Sequence, residues 1–445
     1  MRAETLLQKL IQFNTINDPA KEIYPKPDIL EYIQELTQTW NPNLKAQIIE
    51  SQGYSSIFLA NDLKKVDILF MGHLDVVPVS EGWITDPFTL KIDSGLGYGR
   101  GSKDCKGSVV SSLLMLEKLS RENNSLLNHL GFFFSTDEEI GGRNGANYFF
   151  NYLSKNKILP KYVINVDGGP RVVHKRRAGF GVKIEFPPKI VDSLGVIQNQ
   201  KCYTRILGDD NRHSAYFVRG SDTHSVVALS KLLHLNRDWM VKEIDGAWIK
   251  GNVIPDHVEA SIVSLTRGSG SKKVTYDENL TNVLRKIRSI VLIDLPTEIS
   301  SEFGISVNPN IISYSTTKGT EIYFDVRAFL SSKKTNILVN AFKHRLDELA
   351  KDAEISCPGS SGYFHTSIEN PLVITASNIL EKHSLPSEPC EQEGASDARY
   401  THGIPVIDLG PKGGNIHGSN EYIDIVSMKQ FAIIYEEIIS HLLKS

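Results

Sequence analysis

The sequence predicts an α/β protein: one domain with a largely parallel mixed sheet flanked by helices, interrupted by an inserted α+β domain. Three observations predict it. Short apolar runs alternate with helical stretches through roughly the first 175 residues, as strands joined by crossover helices do. The middle changes to alternating strands with helices between or after them. Beyond Pro371 the helix–strand–helix pattern returns and carries His417, so this segment is expected to rejoin the first. At 445 residues the chain also exceeds one ordinary core. The expected division is 1–178 with 368–445 against an insertion at 179–367.

In order, 1–15 reads as an amphipathic helix, with Leu6, Leu7, Leu10 and Ile11 at helical spacing. It has neither the continuous apolar core nor the cleavage site of a signal peptide. Residues 66–71, 130–135 and 162–166 are short buried strand patterns, and 108–119 is a helix. In the insertion, 180–186, 247–265 and 321–329 read as strands, and 222–239 and 334–350 as helices. One sheet with helices on a face is expected there. Gly268-Ser269-Gly270-Ser271 reads as a flexible loop, and the stretch to 310 shows little period. A helix at 372–383, a strand at 406–409 and a helix at 426–443 complete the chain.

Composition narrows the function. A net charge of −3 offers no broad basic surface, which argues against a nucleic-acid partner. The basic run His174-Lys175-Arg176-Arg177 is short and reads as a solvated strand end or hinge. No stretch approaches the ~18 apolar residues of a membrane span, so no membrane partner is expected. Cys105, Cys202, Cys357 and Cys390 are scattered without Cys-x-x-Cys spacing, which suits a reducing compartment; cytoplasm is the expected location.

The chemistry-bearing residues come in order at the ends of apolar or Gly-rich runs: His73-Leu74-Asp75, Asp104, Asp137-Glu138-Glu139, Asp167 and His417. In parallel sheets ligands collect at the carboxyl ends of strands, so one site is implied. Two imidazoles and several carboxylates suffice for two metal ions and a spare base, the equipment of metal-assisted hydrolysis. His73 and Asp75 share one side of an extended segment, so the carboxylate can orient a metal-binding ring. Alone, His-x-Asp is a weak signal and fits an ordinary surface pair. Adjacent Glu138 and Glu139 would normally be helix-start charges; beside a metal, one can bind the ion while the other serves as general base. Asp104 sits in a Gly-rich loop leading into a helix, which could cradle a phosphate. The Walker spacing and its ending are absent, which counts against that reading.

These motifs resemble the dinuclear-metal amidohydrolase and peptidase family of aminoacylases, acetylornithine deacetylases, succinyl-diaminopimelate desuccinylases and glutamate-releasing carboxypeptidases. The match runs in order from His73 to Glu421. It includes Gly-Arg-Gly-x-x-Asp-x-Lys-Gly at 99–107 and Gly394-Ala395-Ser396-Asp397-Ala398-Arg399. The resemblance implies that His73 and Asp167 bind one ion, Glu139 and His417 the other, and Asp104 both. Asp75 would orient His73. Glu138 would take a proton from the bridging water and pass it to the leaving amine. In the insertion, His213 resembles the family histidine that bonds the tetrahedral oxyanion across a dimer interface, with His224 as rival. Asn252 and Arg327 resemble residues that receive a substrate carboxylate, with Arg267 competing. The outer domain would be catalytic and the insertion a lid through which two subunits pair, by strands and an exposed helix at 222–239. Two divalent ions are expected, zinc first, with cobalt or manganese also compatible with these ligands.

The function expected is hydrolysis of an amide bond in a small N-acyl amino acid or short peptide bearing a carboxylate, by a homodimer. The alternative is a catalytically inactive binding or regulatory protein on the same fold. Phosphoester hydrolysis is a third reading, since paired metals also serve phosphatases.

Overall fold

A computed structural model describes residues 2–207, 213–218, 220–265 and 271–444. The chain divides into two compact units. One takes Met1–Arg176, Phe364–Gln392 and Ser396–Ser445; the other takes Arg177–Tyr363 and Glu393–Ala395.

The first unit is built on a nine-stranded mixed sheet. Its centre is parallel: Leu130–Ser135, Ile68–His73, Tyr162–Asn165 and Val406–Asp408 lie side by side in that order. These strands are buried almost throughout, as the uninterrupted apolar runs require. Tyr54–Ala60 and Lys45–Ser51 extend one edge as an antiparallel hairpin. On one face pack the helices Ala3–Gln12, Asp28–Trp40, Lys106–Arg121, Pro371–Lys382 and Ile425–Leu442, with Leu6, Ile33, Leu113, Phe431 and Ile438 in the shared core. On the other, Ala146–Asn156 sets Phe149 against Phe58 and stacks it on Phe133 at 4.0 Å between ring centres. None of the described helices is long and apolar enough to cross a membrane.

The basic run departs from expectation. Val173–Arg176 is a buried strand of this sheet, not a solvated end. Its charges are matched inside: Lys175 lies 3.6 Å from Glu391, Arg176 pairs with Asp408, and His174 Nδ1 sits 2.7 Å from the Thr366 carbonyl. Buried charge persists where partners are supplied, and those partners come from distant sequence.

The second unit holds two four-stranded sheets rather than one. The first runs Trp239–Gly246, His257–Ser264, Ile190–Tyr203, Lys272–Asp277; the second runs Ser306–Ser315, Gly319–Ala328, Ala178–Phe186, Glu354–Ser356. The stretch read as unperiodic contains helix Glu278–Ile290, capped by Asp277. Its buried Leu280, Val283, Leu284, Ile287 and Ile290 follow helical spacing. The helix expected at 222–239 is shorter, Ser225–Leu235, because the chain turns into a strand at Trp239. It buries Val226, Leu229 and Leu233 in the unit's own core, while Leu235 at its end stays exposed. The Gly268–Ser271 loop lies mostly outside the described residues.

Candidate metal centre

Strand ends set the site. His73 closes its strand, Glu138 and Glu139 follow Leu130–Ser135 in a short 3-10 turn, and Asp167 follows Tyr162–Asn165. Asp104 comes from the loop before helix Lys106–Arg121. That loop closes tightly: a Cβ on Gly107 would stand 2.1 Å from the Ser102 carbonyl oxygen, so only glycine fits.

Asp104 lies between the two histidines. Its Oδ1 is 2.9 Å from His73 Nε2 and its Oδ2 is 3.2 Å from His417 Nε2. His417 Nε2 is also 3.1 Å from Glu139 Oε2. Candidate ligand atoms of His73, Asp104 and Glu139 fall within 4.8 Å of one another, as do those of His73, Cys105 and Asp167. One carboxylate thus offers a different oxygen to each half of the group.

Asp75 does more than face His73. The ring's Nδ1 is 3.1 Å from the Asp75 carbonyl oxygen and 3.4 Å from its Oδ1. The same carboxylate accepts the backbone N–H groups of Glu138 and Glu139, each at 3.2 Å, and the Asn17 amide at 3.0 Å. It therefore fixes the histidine and both glutamates together.

The electrostatics show a cluster short of positive charge. Burial opposes a charged His73, yet Cys105, Asp104 and Asp75 hold its imidazole well above the ordinary value. Burial likewise opposes charge on His417, but Asp104 and Glu139 raise it to about 11. Burial favours neutral Asp104, while His417 and His73 hold it well below the usual range. Glu139 is pushed up to about 7 by burial and then by Asp104. Burial, then Asp397, raises Glu138 well above a normal glutamate. Oxygen and imidazole donors converging on so much negative charge fit divalent cations. Cys105 is buried, and burial pushes its thiol far up.

Several residues without an expected role support the glutamates. Arg399 and Tyr400 both donate to the Gly141 carbonyl oxygen, at 2.8 and 2.7 Å. Buried Asp397, pushed up to about 7 by burial, lies against the Gly142 turn. Asp397 and Arg399 stand within the 394–399 motif, so that motif was the available signal; for Asn17 the sequence offered none.

His213, Asn252 and Arg327 belong to the second unit. His213 Nδ1 accepts the Ala215 N–H at 3.1 Å, and its Nε2 is 3.1 Å from the Asn252 amide. Arg327 is buried and pairs through Nε with Asp325 Oδ2 at 3.0 Å. The rival His224 is a helix cap: Nδ1 accepts the Val226 N–H and Nε2 faces Asn310 Oδ1. Arg267 lies outside the described residues.

Residues 69–441 match the family model described as peptidase family M20/M25/M40. The chain belongs to this family. Among curated relatives, the succinyl-diaminopimelate desuccinylase of Wigglesworthia glossinidia brevipalpis is 26% identical over 390 residues, covering 84% of each chain. That of Nautilia profundicola is 23% identical over 99% of both chains. The solved aminoacylhistidine dipeptidase of Vibrio alginolyticus is similar in fold, with a TM-score of 0.72 at 12% identity over 99% of this chain and 96% of that one.

Proposed function

We propose that this M20 protein hydrolyses an amide bond in a small N-acyl amino acid or short peptide, using two divalent ions and Glu138 as base. One observation carries the reading: Asp104 presents its two oxygens to His73 and His417, with Glu139 on the second histidine. His73 and Asp167 would hold one ion, Glu139 and His417 the other, and Asp104 both. When bound, such ions polarise a carbonyl and make water a nucleophile at neutral pH. Zinc suits the donors best.

Glu138 would accept a proton from the attacking water on its carboxylate. As the C–N bond breaks, that proton passes to the departing nitrogen, leaving an acid and an amine. Burial, then the nearby Asp397, favour Glu138 taking up that proton. Asp75 would keep the base and the His73 ring in register through the bonds described above.

The second unit would act as lid and dimerisation domain. Because His213 Nδ1 accepts a backbone N–H, the neutral ring carries its proton on Nε2, as an oxyanion donor must. The Asn252 amide beside that nitrogen would turn its oxygen toward it, since two N–H donors do not pair, and Arg327 would receive a substrate carboxylate. A homodimer in the cytoplasm completes the reading.

The test is amine release from N-succinyl and N-acetyl amino acids and dipeptides, with Zn²⁺, Co²⁺ or Mn²⁺ supplied. The curated desuccinylase relatives favour an N-succinyl substrate, and the dipeptidase neighbour a dipeptide. Turnover that persists undiminished after complete chelation would remove the proposal.

A further inference from the structure

We infer that Glu421 is a positioning residue that ties the Asp104 loop to the His417 loop and sets the ligand spacing for both ions. The inference rests on the metal-site reading above.

Glu421 is only 1% exposed. Its Oε1 accepts the backbone N–H of Lys103 at 2.8 Å and of Asp104 itself at 2.9 Å. Its Oε2 accepts the Gly101 N–H at 2.9 Å and Arg100 Nη1 at 2.8 Å. The glutamate's own carbonyl oxygen accepts the Gly99 N–H at 3.0 Å. Arg100, also 1% exposed, reaches on through Nη2 to the carbonyl oxygens of His417 and Pro78, at 3.3 and 3.4 Å.

Successive N–H groups in a Gly-bearing loop before a helix form a concavity that attracts anions. Here the anion is supplied by the chain. The phosphate reading of this loop is therefore closed: its donors are already committed to an internal carboxylate.

The placement of Glu421 gives the clamp its consequence. It follows His417 closely in the chain, yet it holds the backbone of Asp104. The residue that the two histidines share and one of those histidines are thus indexed to each other through a single side chain. A buried ion pair is weak evidence for stability alone. Metal ligation, by contrast, needs donor atoms at about 2.0–2.2 Å, so a small drift between the loops weakens both ions. Glutamine has one acceptor oxygen, and its amide would face N–H donors; Glu421→Gln breaks part of the clamp at nearly unchanged volume.

The experiment uses the full chain stripped by a chelator and titrated with Co²⁺ by calorimetry and visible absorption. The temperature is one at which circular dichroism shows each apo variant folded. Wild type should bind two ions. Glu421→Gln should bind each roughly 10- to 100-fold more weakly, the range for losing a partner that orients a ligand, with a changed cobalt band. Glu391→Gln removes a different buried carboxylate, paired with Lys175, and should leave cobalt affinity unchanged even where it lowers the melting temperature. If Glu421→Gln does not fold, Arg100→Lys is measured the same way; it keeps charge but not the fork that spans Glu421 and His417, and it should weaken both ions. Two ions bound by wild type, with equal affinity and spectrum in the variant, would overturn the clamp. A wild type that binds none would overturn the metal-site reading instead.

Discussion

Gly142→Ala probes the turn that follows the two glutamates. Gly142 has φ +64, where an L-residue costs ~1–2 kcal/mol. A Cβ there would also stand 2.0 Å from Asp397 Oδ1 and 2.7 Å from its Cγ. Asp397 is buried and cannot swing into solvent. Displacing it adds the ~1–3 kcal/mol typical of overpacking, for a total of about 2–5 kcal/mol. Gly53→Ala supplies the control: φ is +85 and nothing lies within 4 Å of the added Cβ, so only the backbone cost of ~1–2 kcal/mol should appear. The assay is the denaturant midpoint of the full chain followed by circular dichroism. Asp397→Ala in the Gly142→Ala background should cost less than Asp397→Ala alone, since the clash is then gone. A Gly142→Ala loss no larger than that of Gly53→Ala, or strict additivity with Asp397→Ala, would refute the packing argument.

Glu138→Gln should lower kcat by ~10²–10⁴-fold while metal content by elemental analysis stays near wild type; full activity would place the base elsewhere. Asp104→Ala should lose most of both ions at once, and one ion retained at full occupancy would remove its shared role. The second unit should weaken in acid through His224, whose imidazole burial lowers from 6.5 to about 4. Between those values the unfolded chain binds the extra proton, so stability is full above pH 6.5 and falls as pH drops toward 4, by about 3 kcal/mol. His224→Asn keeps a capping oxygen without a titrating ring, and its unfolding midpoint should lose that part of the pH dependence; an unchanged slope would count against it.

The strands that end at His73 and Ser135 were legible because buried parallel strands leave uninterrupted apolar runs. Val173–Arg176 was not, since its burial depends on Glu391, Asp408 and Thr366, which local sequence cannot reveal. Helix Glu278–Ile290 carried a clear apolar period that the Gly-Ser stretch before it obscured. Asp75 shows the same limit within the site. Its pairing with His73 follows from two-residue spacing, but its hold on Glu138 and Glu139 needs two strand ends brought side by side.

By itself the sequence determined the α/β class and the family, because strand period and motif order are local properties of the chain. It also named the candidate donors, since only certain side chains can carry metal and base chemistry. Tertiary structure alone decided which oxygen of Asp104 faces which histidine, and that Glu421 fills the loop beneath it. The physical reason is that distances of about 3 Å between residues hundreds of positions apart are set by packing, on which local sequence is silent.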